Sequence, residues 1–324
     1  MRHHSRIRVP APLALVCVAA SFIMASHPAL AAGPAHDQQF RIRSFLIPTV
    51  AADPARIALG ADGNMWFTES NASKIGRVTP RGVITEFPIP GGASLRDITA
   101  GPDGALWFTK GAVGTIGRIT PGGKITEARF GQSNAADSIA AGPDANIWFT
   151  ETLANKVWRF DLTTRVFTDF TIPTPDSSPL EITGGPDGNL WFTETDRIGR
   201  ITPEGAVTEF GEGLEHPFAI TGGPDGNVWF VQQFEGMIGR VAPDGQFTFF
   251  VAPKNTLEDI ALGPDGNLWV TEFAYNMVLR VTPDGVMTES QLVQGSSPSG
   301  ISAGPRGTVW FLGFFGNRVY RLIP

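Results

Sequence analysis

The sequence predicts an all-β fold, a seven-bladed β-propeller of four-stranded antiparallel blades, on three observations. A tryptophan recurs at Trp66, Trp107, Trp148, Trp191, Trp229, Trp269 and Trp310, at near-even intervals of about 40 residues. The same words return around it: "GPDGNLWFTE" fills Gly185–Glu194 and "GPDGNLWVTE" fills Gly263–Glu272. Glycine (38) and proline (26) are abundant while only 17% of residues are charged, which suits short elements joined by many turns rather than long helices. A β-solenoid would use shorter coils without two hairpin turns per unit, and a sandwich does not repeat its sequence seven times.

The unit beginning at Leu180 shows what each blade is made of. "LEITGG" is a short apolar alternation, read as the innermost strand. "PDG" follows as a tight turn, its glycine free to take positive φ. "NLWFTE" alternates again, with Leu190 and Phe192 on one face and Trp191 and Thr193 on the other. "RIGRIT" is a third strand, "PEG" a second turn, and "AVTEF" a fourth strand. After Trp310 the chain holds only a third strand, "NRVYRLIP". Near the start, "FRIRSFLIP" (Phe40–Pro48) matches the fourth-strand pattern of "GVITEFPIP" (Gly82–Pro90). Residues 40–48 are therefore expected to complete the last blade and close the ring. The recurring Gly, Asp and Trp then belong to the scaffold. So does the arginine of "IGR" (Arg77, Arg118, Arg200, Arg240) and its variants (Arg159, Arg280, Arg321), because seven equivalent arginines cannot serve one site.

Ahead of the repeats stands a basic segment, then the apolar run "LALVCVAASFIMA", then the small-residue signal "ALA" at Ala29–Ala31. Residues 1–31 read as a secretory signal peptide, leaving 32–324 as one domain in the periplasm or outside the cell. The only cysteine, Cys17, lies in this leader, so the mature chain is expected to have no disulfide and no thiolate site. Removing Arg2, Arg6 and Arg8 makes the formal charge of −6 more negative still. That balance, without a basic run, argues against nucleic acid and against stable membrane insertion. A monomer is expected.

The units "GPDGNLWFTE…IGRITPEGAVTEF" and "ESNASKIGRVTPRGVITEFPIP" resemble the repeats of the virginiamycin B lyase family. The resemblance covers the whole mature chain and implies the seven-bladed fold. It also implies Mg²⁺-dependent elimination that opens a streptogramin antibiotic at its ester, with a histidine as base. The residues depart from that pattern. Where the family has Glu-Pro-His in its last repeat, this chain has Ser297-Pro298-Ser299, so the metal carboxylate and the base both become serines. The second metal carboxylate falls at Gly313 or Phe314, a substrate-contacting histidine becomes Glu258, and a first-repeat aromatic becomes Ala55. Mg²⁺ is expected only if the lyase activity is retained.

The positions just before "I-T-x-G" do not repeat. They hold Ala55, Arg96, Asp137, Leu180, Phe218, Glu258 and Ser299. Two residues earlier, read as the same strand face, stand Asp53, Ser94, Ala135, Ser178, His216, Thr256 and Ser297. Seven different side chains around one axis are where an individual site would be built. The candidates for ligand binding on the central face are Asp53, Arg96, Asp137, His216, Phe218, Glu258 and Ser299, with Arg96 and Asp137 also placed to pair with each other. His36 and His216 are the mature chain's only histidines. Two function classes follow. One is a binding or interaction propeller for a small molecule, a peptide or a cell-envelope partner. The other is a metal-dependent enzyme, either a streptogramin-type carbon–oxygen lyase or a lactonase-like hydrolase, with a relocated site.

Overall fold

The computed structural model describes residues 40–111, 114–131 and 136–324. The expected signal peptide at residues 1–31, with Cys17, and also His36 and Ala135, lie outside the described residues. Seven four-stranded antiparallel sheets stand in a ring. Blade 1 is β2 (Pro54–Leu59), β3 (Met65–Glu69), β4 (Lys74–Val78) and β5 (Ile84–Pro88). Blade 2 is β6 (Leu95–Ala100), β7 (Leu106–Lys110), β8 (Thr115–Ile119) and β9 (Ile125–Arg129). Blade 3 is β10 (Ile139–Ala141), β11 (Ile147–Glu151), β12 (Lys156–Phe160) and β13 (Phe167–Thr171). Blade 4 is β14 (Ile182–Gly184), β15 (Leu190–Thr193), β16 (Ile198–Ile201) and β17 (Val207–Phe210). Blade 5 is β18 (Pro217–Gly222), β19 (Val228–Gln232), β20 (Met237–Val241) and β21 (Phe247–Val251). Blade 6 is β22 (Leu257–Leu262), β23 (Leu268–Glu272), β24 (Met277–Val281) and β25 (Met287–Gln291). Blade 7 is β26 (Pro298–Gly304), β27 (Thr308–Gly313), β28 (Arg318–Ile323) and the N-terminal strand β1 (Arg41–Leu46). The inner strands touch in the order β2, β6, β10, β14, β18, β22, β26 and back to β2.

Each recurring residue has a local job. The seven repeat tryptophans are almost wholly buried and pack between their own blade and the next, as Trp229 does with Leu257, Ile260 and Leu268. A buried indole N–H needs an acceptor. The turn aspartate four residues earlier supplies it: Trp66 donates to Asp62 at 3.1 Å, Trp191 to Asp187 at 3.0 Å and Trp269 to Asp265 at 3.0 Å. Blade 7 has Arg306 at that position, and there Thr308 accepts from Trp310 at 2.9 Å. The Phe–Gly pairing is steric. A Cβ at Gly76 would sit 2.1 Å from the Phe67 ring. In blade 6 the smaller Val270 stands in place of the phenylalanine, and the facing position holds Leu279 instead of glycine.

Five of the seven repeated arginines tie neighbouring blades together. Arg77, Arg159, Arg200 and Arg240 donate to the carbonyls of Pro121, Pro203, Pro243 and Pro283, each in the next blade's outer turn, at 2.8–3.2 Å. Arg321 does the same to Pro80. Arg118 and Arg280 instead donate to the turn aspartates Asp103 and Asp265 of their own blades.

The N-terminal strand completes the last blade. β1 pairs antiparallel with β28, from Arg41 opposite Ile323 to Leu46 opposite Arg318. Phe45 stacks on Trp310 with centroids 5.9 Å apart, Phe40 meets Trp269 edge-on at 5.1 Å, and Ile47 is buried.

Candidate functional site

The central face is shaped by a bulge near the start of the inner strands. Pairing with the second strand shifts register between Pro54 and Ile57, Leu95 and Ile98, Pro217 and Ile220, Leu257 and Asp259, and Pro298 and Ile301. The repeated threonine of "WFT" fills the gap. Thr68, Thr109, Thr150, Thr193 and Thr271 accept the backbone N–H of Arg56, Asp97, Ser138, Glu181 and Asp259 at 2.9–3.1 Å. Four of them also donate to the next blade, as Thr193 does to the Phe218 carbonyl at 2.8 Å.

This bulge corrects the expectation that residues two apart share one strand face. Asp53, Ser178, His216, Thr256 and Ser297 stand outside the inner strands in left-handed backbone, with φ between 42° and 70°. The residues one place later, Arg56, Asp97, Ser138, Glu181 and Asp259, line the central channel instead, and period-2 counting did not select them. A signal was present: a charged residue interrupts an apolar word at "RIALG", "DITAG", "EITGG" and "DIALG".

These residues form a charged floor. Arg56 of blade 1 reaches Glu181 of blade 4, nearly across the ring, donating from Nε at 3.0 Å and also from Nη2. The pair is a crossbar over a central channel of about 220 Å³. Asp97 accepts from the Ser138 hydroxyl at 2.7 Å and the Ile139 N–H at 2.9 Å, and Asp259 from the Ile301 N–H at 2.8 Å, so each fastens the next blade. Burial alone would lower the Arg56 guanidinium, but Glu181, Asp259, Glu258 and Asp97 together hold it above its ordinary value. Burial pushes Glu181 and Asp259 up, against the pull of Arg56.

Above this floor two pockets lie side by side, sharing Ala55 and Arg56. The first, about 310 Å³, is lined by Arg96, Asp137, Leu180 and Phe218 among others. The second, about 380 Å³, is lined by Phe234, Glu258, Phe273, Ser299 and Phe314 among others. The sequence candidates therefore divide. Arg96 pairs with Asp137, which also accepts the Thr152 N–H at 3.1 Å. Phe218 lies under the Arg56 guanidinium, 5.9 Å from it. Glu258 accepts from Gln233 at 2.9 Å. Ser299 is buried and donates to the Pro54 carbonyl at 3.1 Å. Asp53 and His216 line neither pocket; His216 is exposed and meets Phe234 edge-on at 5.7 Å.

The family model described as "Virginiamycin B lyase family" matches residues 35–166 and 137–324, nearly the whole chain. The chain belongs to the virginiamycin B lyase family. It is 32% identical to a selenomethionine-substituted virginiamycin B lyase from Staphylococcus aureus, with a TM-score of 0.82 over 88% of this chain and 100% of that one. A streptogramin B lyase structure is 30% identical, with a TM-score of 0.81 over 87% and 97%. A catalytically inactive histidine-to-alanine variant of the S. aureus lyase, with quinupristin, is 32% identical at a TM-score of 0.81, covering 88% and 100%.

The Mg²⁺ that the family resemblance implies does not fit the residues present. Ser299 has its hydroxyl committed to Pro54, and Ser297 is a neutral hydroxyl whose backbone N–H donates to Asn276 at 2.9 Å. A side chain at Gly313 would bring its Cβ within 2.7 Å of the Ser296 carbonyl oxygen, so no carboxylate could stand there without a shift. Phe314 offers a phenyl ring. A hard divalent cation needs anionic or carbonyl oxygens converging on it. Among the described residues no three His, Cys, Asp or Glu side chains gather to hold one.

Proposed function

We propose that this chain is an extracytoplasmic binding propeller of the virginiamycin B lyase family, which holds a small molecule or peptide in the two pockets of its central face. One observation carries this reading. Neutral hydroxyls and a phenyl ring occupy the positions where the resemblance implies a base and metal carboxylates, while the pockets around them remain large and chemically mixed. A serine hydroxyl that donates to a carbonyl cannot take a proton near neutral pH without an activating base, and Ser299 has none among its contacts. The leader at residues 1–31 supports the extracytoplasmic placement.

Incubation with quinupristin and Mg²⁺, followed by mass spectrometry, tests the reading. The expected result is no linearised antibiotic above a protein-free control. Product that appears with the protein and disappears with EDTA would overturn it.

A further inference from the structure

The two pockets differ in how their charge is balanced, and that difference suggests a ligand class. In the first, Arg96 and Asp137 neutralise each other. On the floor, the Arg56 guanidinium is bound by Glu181, with the Asp97 and Asp259 carboxylates nearby. In the second pocket, which Arg56 also lines with its guanidinium bound by Glu181, Glu258 accepts from Gln233, a neutral amide, and among the described residues no cation lies within ion-pair distance of it. A carboxylate with one amide donor retains several unused lone pairs.

The walls beside it are aromatic. Phe234, Phe273 and Phe314 line the pocket. Phe273 stands 6.1 Å from Phe314 and 5.7 Å from Phe315, and the latter two are 5.2 Å apart. Phe234 is 56% and Phe315 72% exposed, unusual for phenylalanines on a structure with well-buried blade cores. Phenyl faces carry negative quadrupole potential, so rings grouped around an unpaired carboxylate favour a positively charged organic group over a neutral or anionic one. A metal ion is disfavoured, because phenyl rings cannot replace its hydration oxygens.

We propose that the Glu258 pocket binds an organic cation, an amine or quaternary ammonium group carried on an apolar body. This rests on the reading of the central face as a binding site and names the chemistry of one half of it.

The test uses benzyltrimethylammonium, with benzyl alcohol and benzoate as neutral and anionic counterparts, by calorimetric titration of the mature chain. The cation should bind at least about tenfold more tightly than either counterpart. Glu258→Gln, which keeps the shape and the amide contact, should abolish that preference, and Phe273→Leu should weaken the cation several-fold. Lys124→Ala, which removes an exposed positive charge on an outer turn of blade 2 away from the central face, should leave it unchanged. Thermal melts of each variant establish that it is folded. Equal binding of benzyl alcohol or benzoate, no binding of the cation, or an unaltered preference in Glu258→Gln would each overturn the proposal. Benzyl alcohol or benzoate bound on this face would still leave the binding reading standing, whereas EDTA-sensitive opening of quinupristin would remove that reading whatever the titrations gave.

Discussion

The blade bodies and the central face obey the same seven-fold arrangement, yet one repeats and the other does not. In the bodies, a turn aspartate meets an indole, a glycine makes room for a phenylalanine and an arginine reaches the next blade's proline carbonyl, with small exchanges such as Val270 with Leu279. Each residue there answers only to its own blade and one neighbour, so the same solution works seven times. At the axis all seven inner strands converge. Seven copies of Arg56 would place seven guanidinium groups around one channel, and seven copies of Asp259 would crowd as many carboxylates. The channel is instead lined at these positions by one arginine, three acids and a serine. Repetition marks where interactions are pairwise, and its loss marks where they are collective.

The largest expected effect breaks the closure of the ring. A chain beginning at Asp53 removes β1 with the Phe45 and Phe40 contacts and the buried Ile47. It leaves Trp310 without its stacking partner and β28 with an open edge. Cooperative unfolding, followed by circular dichroism in urea, should be lost or shifted to much lower denaturant. If the shortened chain melts like the mature protein, blade 7 does not need its fourth strand and the body is less interdependent than its repetition suggests.

A second test sharpens the contrast at the axis. Glu181→Ala strands the Arg56 guanidinium over the channel, and the expected cost is about 3–5 kcal/mol, from urea unfolding. The double substitution Arg56→Met with Glu181→Leu removes both charges together and should come within about 1 kcal/mol of the parent, or exceed it. A small cost for the single change would mean that water solvates the crossbar well. A large cost for both would mean that Glu181 matters chiefly through its contact with the Ile220 N–H, 3.3 Å away.

The sequence made the blades legible because their determinants are local. Trp191 and Asp187 are four residues apart, and their hydrogen bond can be anticipated from a turn motif. Phe40 and Trp269 are distant in sequence, but the fourth-strand pattern of "FRIRSFLIP" placed the segment without any contact being known. The charged floor was missed for a physical reason. Alternation assumes an unbroken pleat, and the register shifts beside Arg56 and Asp259 change which residues line the central channel. Nor does a sequence say that Arg56 and Glu181, 125 residues apart, lie across one channel. Arg96 and Asp137 were within reach because they occupy equivalent positions in adjacent blades.

The smallest expected effect tests a repeated residue that is itself costly. The glutamate ending "WFTE" recurs as Glu69, Glu151, Glu194 and Glu272, all buried, and in Glu69, Glu194 and Glu272 neither carboxyl oxygen has a hydrogen-bond partner. Burial, together with the neighbouring Glu86, pushes Glu69 up to about 8. Burial likewise pushes Glu194, beside Glu209, up to about 8, and Glu272, beside Glu289, up to about 7. Because the folded values lie above the unfolded one, the folded state holds extra protons between them. The stability these groups contribute is complete below about 4.5 and is lost as pH rises through about 7 to 8. The turn aspartates Asp187, Asp225 and Asp265 run the other way: burial raises them, but hydrogen bonds from the neighbouring Asn and Trp hold them below their ordinary value, so their contribution fades as the solution becomes strongly acid. Together they place maximum stability between the ordinary aspartate value of 3.8 and the ordinary glutamate value of 4.5. Glu194→Gln, neutral at every pH, should match the parent at about pH 4 and exceed it by on the order of 1–2 kcal/mol at pH 9, from paired thermal melts. An equal melting temperature for the two chains at pH 9 would mean that Glu194 ionises there at no cost, and that this repeated position is better solvated than its burial indicates.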